Sequence, residues 1–459
     1  MNVVQTSTGD RLRIVVGADT YPPDVNGAAH FSHQLASGLA RRGHDVHVLA
    51  PSPDGRPGVA VLDGVTVHRV RARRTPWHSS FRVCPPWQAS AAADTVLGTL
   101  KPDLVHIQAH FVVGRALSRA ASRHGVPLVA TNHFMPENLF GYVRLPAALH
   151  EPVRRLAWWD VARVFGPAAV VTAPTPRAVQ LLHERGVGRR ALAVSCGIDL
   201  SRFAAPASAG AGVRRPETLD RVGVPGDIEL PRRAELLGDA EPPRHNEVPG
   251  SPDAADGGPV AEESAVPTVL FVGRLDAEKR IEELLGAAAL LASTLPFRVE
   301  LVGDGSRRAE WEALAERLGL ADRVVFAGHV TEAELVAAYR RSDVFCMPGI
   351  AELQSLATME AMAAGKPVIA ADAMALPHLV RDGDNGRLYR PGDVAGLASR
   401  LSELLVDARL RERMGEAGRR RILAHDVAAT LDRFEEVYRE ALGVEPLAVR
   451  RPVLAGTAA

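Results

Sequence analysis

The sequence predicts an α/β protein made of two doubly wound halves, each a parallel sheet covered on both faces by helices. Three observations carry that prediction. Apolar strand-like runs alternate with amphipathic helical stretches through the first 200 residues. The same alternation restarts at Thr268 after a long stretch of different composition. And 459 residues at 46% hydrophobic content exceed what one core accommodates while supplying ample material for two.

"RLRIVVGAD" reads as a short buried strand, followed by a turn and the helical "AAHFSHQLASGLARRG". "HDVHVLAP", "PDLVHIQAH" with its helix "GRALSRAASRHG", "PLVATNH", and "AAVVTAPT" with its helix "PRAVQLLHERG" continue the pattern. The second half repeats it through "TVLFVGRL", "FRVELVGDG", "RVVFAGHV", "DVFCMPG" and "PVIAADA". Runs that are apolar throughout, rather than alternating, mark strands buried on both faces. Between the halves, residues 205–266 are rich in Pro, Gly, Ala and charge without sustained periodicity. They read as a disordered insertion in the connection, a tolerated loop expansion more than a regulatory element. The expected domains are therefore residues 1–204 and 267–424, with the amphipathic "AATLDRFEEVYREAL" in 425–459 packing back across both halves ahead of a frayed tail.

Composition excludes several function classes. Lys+Arg and Asp+Glu are both 54, which gives no global case for nucleic-acid binding. Cys84, Cys196 and Cys346 are scattered without C-x-x-C spacing, against a disulfide frame or a zinc site and in favour of a reducing compartment. No run of 18 apolar residues occurs and "MNVVQTSTGD" lacks the features of a signal peptide, so a cytoplasmic protein is expected, peripheral to a membrane at most. Lysine occurs only at Lys101, Lys279 and Lys366; arginine-favouring codon bias explains this, yet a surviving lysine can mark a place where a compact ammonium is wanted.

Open parallel sheets bind ligands beyond the carboxyl ends of their strands, where helix N-termini point. The residues just past each strand are therefore the candidates for a site. Asn26 and Gly27 open the first helix; His110 and His133 come after two strands of the first half; Arg274 and Lys279 come after the first strand of the second. Glu352 and Glu360, eight positions apart, bracket the start of the alanine-rich "SLATMEAMAAG". Each residue alone has a structural explanation, such as a hydrogen-bonding histidine or a solvated turn. Their accumulation at one edge of both sheets is what indicates a cleft between two domains. No G-x-G-x-x-G succeeds the first strand, so the glycines of "VGDG" are not a dinucleotide fingerprint.

"VGRLDAEKR", "LVGDGSRRAEWEALAERLGLADRVVFAGHV", the Glu352–Glu360 pair, "DTYPPDVNG" and "VSCGIDLSRF" resemble retaining glycosyltransferases of family 4, over nearly the whole chain apart from the insertion. The resemblance implies the GT-B fold, two Rossmann-like domains facing a central cleft, and transfer of a hexose from a nucleotide sugar, UDP-glucose or GDP-mannose, to a hydroxyl acceptor. It implies that Arg274 and Lys279 hold the donor diphosphate, that Glu352, Leu353, Gln354 and Ser355 line the donor sugar, and that Glu360 binds the ribose. Gly27 would let backbone approach the diphosphate, His133 would lie near the transferring sugar, and Asn26 and His110 would line the acceptor side. No obligatory cofactor or metal is implied; the one D-x-D, Asp382 to Asp384, reads as a turn. Two departures stand out. Ser355 occupies a position where the family usually has glycine, and Ala28 replaces the second glycine of the first loop.

Residues 150–165, with Arg154, Arg155, Arg163, Trp158 and Trp159, fit either an ordinary helix on the first sheet or a contact with an anionic membrane. "RVRARRTPWHSSFR" is a second basic, aromatic segment. A lipid-linked or phosphatidylinositol-type acceptor at the inner face of the cell membrane is accordingly an expectation. The rivals are a nucleotide-sugar epimerase of the same fold and a non-catalytic nucleotide-sugar sensor. A glucan phosphorylase is set aside because none of the three lysines has a pyridoxal-type setting.

Overall fold

The structure, a computed structural model, describes residues 11–24, 26–75, 78–135, 146–188, 190–203 and 266–443. The expectations for the 205–266 insertion, for the tail and for residues 76–77 of the second basic segment lie outside the described residues, Val266 excepted.

The N-terminal sheet has the order β10-β9-β8-β7-β1-β2-β4-β3. Its strands are β1 (Arg13–Gly17), β2 (Asp45–Pro51), β3 (Gly58–Leu62), β4 (Val65–Val70), β7 (Leu104–Ile107), β8 (Leu128–Thr131), β9 (Val170–Ala173) and β10 (Ala191–Ala193). The short strands β5 (Arg73–Thr75) and β6 (His78–Val83) form a separate hairpin. All pairings of the large sheet are parallel except β3 with β4. That exception lies at the edge, where Val59 and Val61 of β3 are 66% and 74% exposed. Helices α1 (Gly27–Arg41), α2 (Pro86–Leu100), α3 (Val112–His124), α4 (Ala147–Phe165) and α5 (Pro176–Glu184) cover the faces.

The second sheet runs β13-β12-β11-β14-β15-β16, all parallel. Its strands are β11 (Thr268–Val272), β12 (Arg298–Val302), β13 (Val324–Gly328), β14 (Val344–Met347), β15 (Val368–Ala371) and β16 (Gly386–Tyr389). Helices α6 (Ile281–Leu291), α7 (Arg308–Arg317), α8 (Glu332–Arg341), α9 (Leu356–Ala363), α10 (Leu376–Leu379), α11 (Val394–Val406) and α12 (Ala408–Ile422) enclose it. In both sheets the chain winds outward from the first strand, then returns to its other side. The reversal falls between β1 and β7 and between β11 and β14, where crevices open at the carboxyl ends of strands.

The last helix, α13 (Val427–Ala441), belongs spatially to the N-terminal core. Leu431, Phe434, Val437 and Tyr438 pack with Ile14, Val16, Phe31 and Leu35. The chain reaches it through a parallel bridge between Ile198 and Asp426, closed by Ile198 N–H to the His425 carbonyl and Val427 N–H to the Ile198 carbonyl, 3.0 Å each. The amphipathic period of "AATLDRFEEVYREAL" is thus satisfied by the other domain's core.

Phe434 is fully buried, its ring 5.8 Å from Phe31 and 5.3 Å from His106. Phe434→Ala is expected to lower stability by about 3–5 kcal/mol, the usual cost of truncating a buried phenylalanine. Urea unfolding monitored by circular dichroism measures it; a loss under about 1 kcal/mol would mean that α13 does not dock on this core.

Candidate functional site

The carboxyl edges of the two sheets face one another across a cavity of about 800 Å³. Its walls include Asp19, Asn26, Gly27, Gln108 and His133 from the N-terminal domain, and Arg274, Lys279, Glu352, Ser355 and Glu360 from the C-terminal one. The strand-end residues singled out in the sequence are therefore brought together, with one exception.

On the C-terminal side, Lys279 sits in a single 3-10 turn after β11, and its ammonium pairs with the Glu352 carboxylate. Both side chains are only 14% exposed. Arg274 is held by Asp276 at 2.6 Å and Glu278 at 2.8 Å. Asp276, which no sequence signal singled out, also accepts from Ser306 N–H at 3.0 Å and the Ser306 hydroxyl at 2.7 Å, so it ties the arginine loop to the "VGDG" turn. That turn requires glycine: at Gly303, φ is +129° and a Cβ would lie 1.9 Å from the Gly273 carbonyl oxygen. Its glycines serve close backbone packing beside the cavity.

Helix α9 begins at Ser355, whose hydroxyl caps it by accepting from Thr358 N–H at 3.4 Å and the Thr358 hydroxyl at 3.0 Å. Glu352 lies in the loop before it and Glu360 within it. Glu360 is 8% exposed and accepts hydrogen bonds from the Tyr339 hydroxyl at 2.9 Å and Arg202 at 3.2 Å. Burial pushes its carboxyl above the usual carboxylate range, against the opposing pull of Arg202 and Tyr339. A carboxylate inside an alanine-rich run signals that partners must exist, but Arg202 and Tyr339 are 158 and 21 positions away. Leu353 and Gln354 line the cavity, yet their polar groups face the other domain: the Leu353 carbonyl accepts from Thr175 and the Gln354 carboxamide bonds to Ser195 and Cys196.

On the N-terminal side, Asn26 caps α1 by accepting from Ala29 N–H at 2.9 Å. A Cβ added to Gly27 would meet only Leu356, at 3.8 Å, so neither packing nor a positive φ demands glycine there. Its bareness leaves open space in the cavity. Asp19, also not singled out in the sequence, accepts from the N–H groups of Val113 and Gly114 and so caps α3. Burial raises its carboxyl to about 6. His133 contacts Gln108 at 3.0 Å and lies 4.7 Å from the Phe31 ring. The exception is His110. It is 5% exposed and surrounded by Phe111, Phe134 and Phe165, behind the cavity wall, because its strand turns it into the aromatic cluster under α4. The Asp382–Asp384 segment is a turn that meets β16 through an Asp382–Gly386 bridge, and no metal-binding cluster occurs among the described residues.

Two family models match the chain: "Glycosyltransferase Family 4" over residues 25–202 and "Glycosyl transferases group 1" over residues 259–421. A GDP-mannose-dependent alpha-mannosyltransferase of Mycolicibacterium smegmatis is 29% identical over 94% of this chain and 98% of its own. A D-inositol 3-phosphate glycosyltransferase of Thermobifida fusca is 30% identical over 91% of this chain and 89% of its own. Among solved structures, a sucrose-phosphate synthase from Thermosynechococcus elongatus superposes with a TM-score of 0.72 at 21% identity, covering 94% of this chain and all of that one. The fold is GT-B.

Among the histidines that burial depresses below their ordinary 6.5, four move furthest: His106 to about 3, and His110, His133 and His425 to about 4. Between pH 6.5 and 4 the unfolded chain binds protons that these folded imidazoles refuse, so stability rises with pH across that window. Asp19, raised to about 6, works in the opposite direction between its ordinary 3.8 and that value, as do the raised carboxyls of Asp24, Glu282 and Glu360. His30, His47, His68 and His378, also lowered by burial, add to the histidine side. The thermal midpoint is therefore expected to fall on acidification from about pH 7.5 to about pH 5, as scanning calorimetry would show; an unchanged midpoint would contradict neutral burial of the histidines.

Proposed function

The chain belongs to glycosyltransferase family 4, the glycosyl transferases of group 1, and from that premise we propose that it moves a hexose from a nucleotide sugar to a hydroxyl acceptor with retention of anomeric configuration. As a member of the family it is an enzyme that transfers a sugar. The observation that carries the finer reading is the convergence of Lys279, Arg274, Glu352 and Glu360 on one cavity.

In this reading Arg274 and Lys279 bind the donor diphosphate. As the sugar–phosphate bond breaks, negative charge accumulates on the departing phosphate, and fixed cations favour that state over the ground state. Glu352 accepts hydrogen bonds from donor-sugar hydroxyls, and Glu360 from the ribose. Gly27 admits the diphosphate, and His133 lies beside the transferring sugar. The acceptor oxygen attacks from the face the phosphate leaves; its proton passes to that phosphate, and the sugar carbon ends bonded to the acceptor through an oxocarbenium-like state. The names of the relatives, with GDP-mannose in one and inositol 3-phosphate in the other, support a mannosyl donor and an inositol-type acceptor.

A donor present at about a hundred times its dissociation constant should stabilise the protein by about 2.7 kcal/mol. GDP-mannose and UDP-glucose are the two to test by thermal shift, followed by nucleotide release with and without acceptor. Lys279→Ala should abolish most of the shift and reduce turnover about 100- to 1000-fold, comparable to the loss of one transition-state donor. A shift that survives both Lys279→Ala and Glu360→Ala would put the donor elsewhere. Donor converted to its epimer without acceptor would favour the epimerase, and binding without turnover the sensor.

A lipid-linked acceptor is supported by α4. Trp158 is buried, but Trp159 and Leu156 are 57% and 63% exposed, and the Arg163 guanidinium lies 5.6 Å over the Trp159 ring. No helix among the described residues is long and apolar enough to cross a membrane. An exposed tryptophan with arginine beside it suits the headgroup region of an anionic bilayer. Sedimentation with phosphatidylglycerol vesicles at low salt should carry the protein down, and Leu156→Ser with Trp159→Ser should leave it in the supernatant. No association of the unsubstituted protein would remove the membrane reading while leaving transfer to a dissolved acceptor intact.

A further inference from the structure

A buried polar chain reaches the cavity from beneath the N-terminal sheet. Gln108 lies just past β7 and His133 just past β8, so the two side chains meet where neighbouring strands end. Gln108 is 2% exposed. Its amide oxygen lies 3.0 Å from Nε2 of His133, and its amide nitrogen lies 3.4 Å and 3.3 Å from Nδ1 and Nε2 of His106. One nitrogen nearly equidistant from both ring nitrogens sits over the ring, where the π-face accepts an N–H. The in-plane positions of His106 are already taken, Nδ1 by the Tyr438 hydroxyl at 2.8 Å and Nε2 by the Thr131 hydroxyl at 2.6 Å. With its nitrogen on His106, the carboxamide has only its oxygen to offer His133.

We infer that Gln108 is a positioning residue for sugar transfer: its amide oxygen accepts the Nε2–H of His133 and leaves the Nδ1 lone pair of that ring as the acceptor available to a sugar hydroxyl in the cavity. The inference rests on the proposed transfer function. His133 lines the cavity, and its Nδ1 makes no hydrogen bond among the described residues. The Phe31 ring packs against it and fixes its plane. Burial holds His133 neutral, with its value near 4, so the ring carries one proton and one lone pair at neutral pH. An amide is the right partner for this. A carboxylate at position 108 would favour an imidazolium, which would set a positive charge against the positive character that develops on the sugar carbon.

Three measurements test this. Nitrogen NMR of labelled histidine, with His133 assigned by difference from His133→Ala, should report the Nε2–H tautomer. Gln108→Leu should lower kcat about tenfold or more through the loosened ring, with donor affinity within about twofold. Gln108→Glu should restore ring placement but raise the imidazole's pKa. Its activity should approach that of the unsubstituted enzyme at high pH and fall as His133 protonates, an inflection in the neutral range that the unsubstituted enzyme lacks. Other titratable and charged groups near the ring or lining the same cavity include His106, Asp19, Asp24, His30, His33, Arg274, Glu278, Lys279, Asp304, His329, Glu352 and Glu360. They are the same in both proteins, so a new inflection belongs to the 108–133 pair. An Nδ1–H tautomer overturns the inference, as does a Gln108→Glu profile that matches the unsubstituted one. The tautomer is measurable in the free protein, so failure to find a transferable sugar would leave that arm decisive. If Gln108→Leu does not fold, the Gln108→Glu profile decides.

Discussion

The loop from Glu352 to Ser355 belongs by sequence to the C-terminal domain, but its Leu353 carbonyl and Gln354 carboxamide bond to the N-terminal one, and the arrangement of the cavity depends on that tie. The Thr175 hydroxyl donates to the Leu353 carbonyl at 2.9 Å. Cys196 N–H donates to the Gln354 carboxamide oxygen at 2.7 Å, and the same carboxamide donates to Ser195 Oγ at 2.8 Å. Ser195 Oγ also lies 2.9 Å from His425 Nδ1, at the point where the chain recrosses between domains. Thr175, Cys196 and Gln354 are all buried. Each such bond contributes only about 0.5–1.5 kcal/mol net, but leaving the buried Cys196 amide unpaired costs about 1–3 kcal/mol. The loop is therefore costly to release, and the Leu353 side chain strengthens the tie by entering the N-terminal core. Glu352 and the start of α9 flank this tie and are held in place by it.

Charge in the cavity follows a second rule, that low-dielectric surroundings penalise unpaired ions. Lys279 is matched by Glu352, Arg274 by Asp276 and Glu278, and Arg202 by Glu332 and Glu360. Asp276 is itself fixed by Ser306, and Glu360 by Tyr339. The cations are therefore already oriented. On the proposed reading, a donor diphosphate would exchange carboxylate partners for phosphate ones instead of ordering long flexible side chains, and the entropy of holding them would be met in advance.

How much the sequence revealed depends on the range of each signal. The central strands were legible because "RIVVG", "LVHI" and "VIAA" are almost wholly apolar, as burial on both faces requires. The β3–β4 pair was not, since β3 is an exposed antiparallel edge, and the four-residue β16 hides in a segment dense with turn residues. At the site, the strand-end position exposed Arg274, Lys279 and His133, because parallel sheets collect ligands at one edge. His110 also comes after a strand, but it packs into the aromatic cluster instead of lining the cavity. Arg202, Tyr339 and Asp276 bear on the site through contacts with other groups, and nothing in local spacing distinguishes them from residues of an ordinary core or loop. Gln108 lines the cavity and comes just past β7, a strand-end position that could have pointed to it.

Ser355 shows how a residue that departs from a family pattern can be taken up by the fold's own hydrogen bonds. Glycine is usual at this position in the family that the motif resembles, and a hydroxyl there offers, at first sight, a new contact for the donor sugar. The side chain is buried, and its oxygen already receives the Thr358 amide and hydroxyl. A serine N-cap satisfies one of the orphan amides at the helix start, which a glycine would leave for solvent or ligand. The substitution thus moves one amide of α9 from the cavity's inventory of donors into the fold's, while Glu352, in the loop just ahead, keeps its place against Lys279. On the proposed reading, contacts to a donor sugar would then come from other groups that line the cavity, since the Ser355 hydroxyl is already engaged.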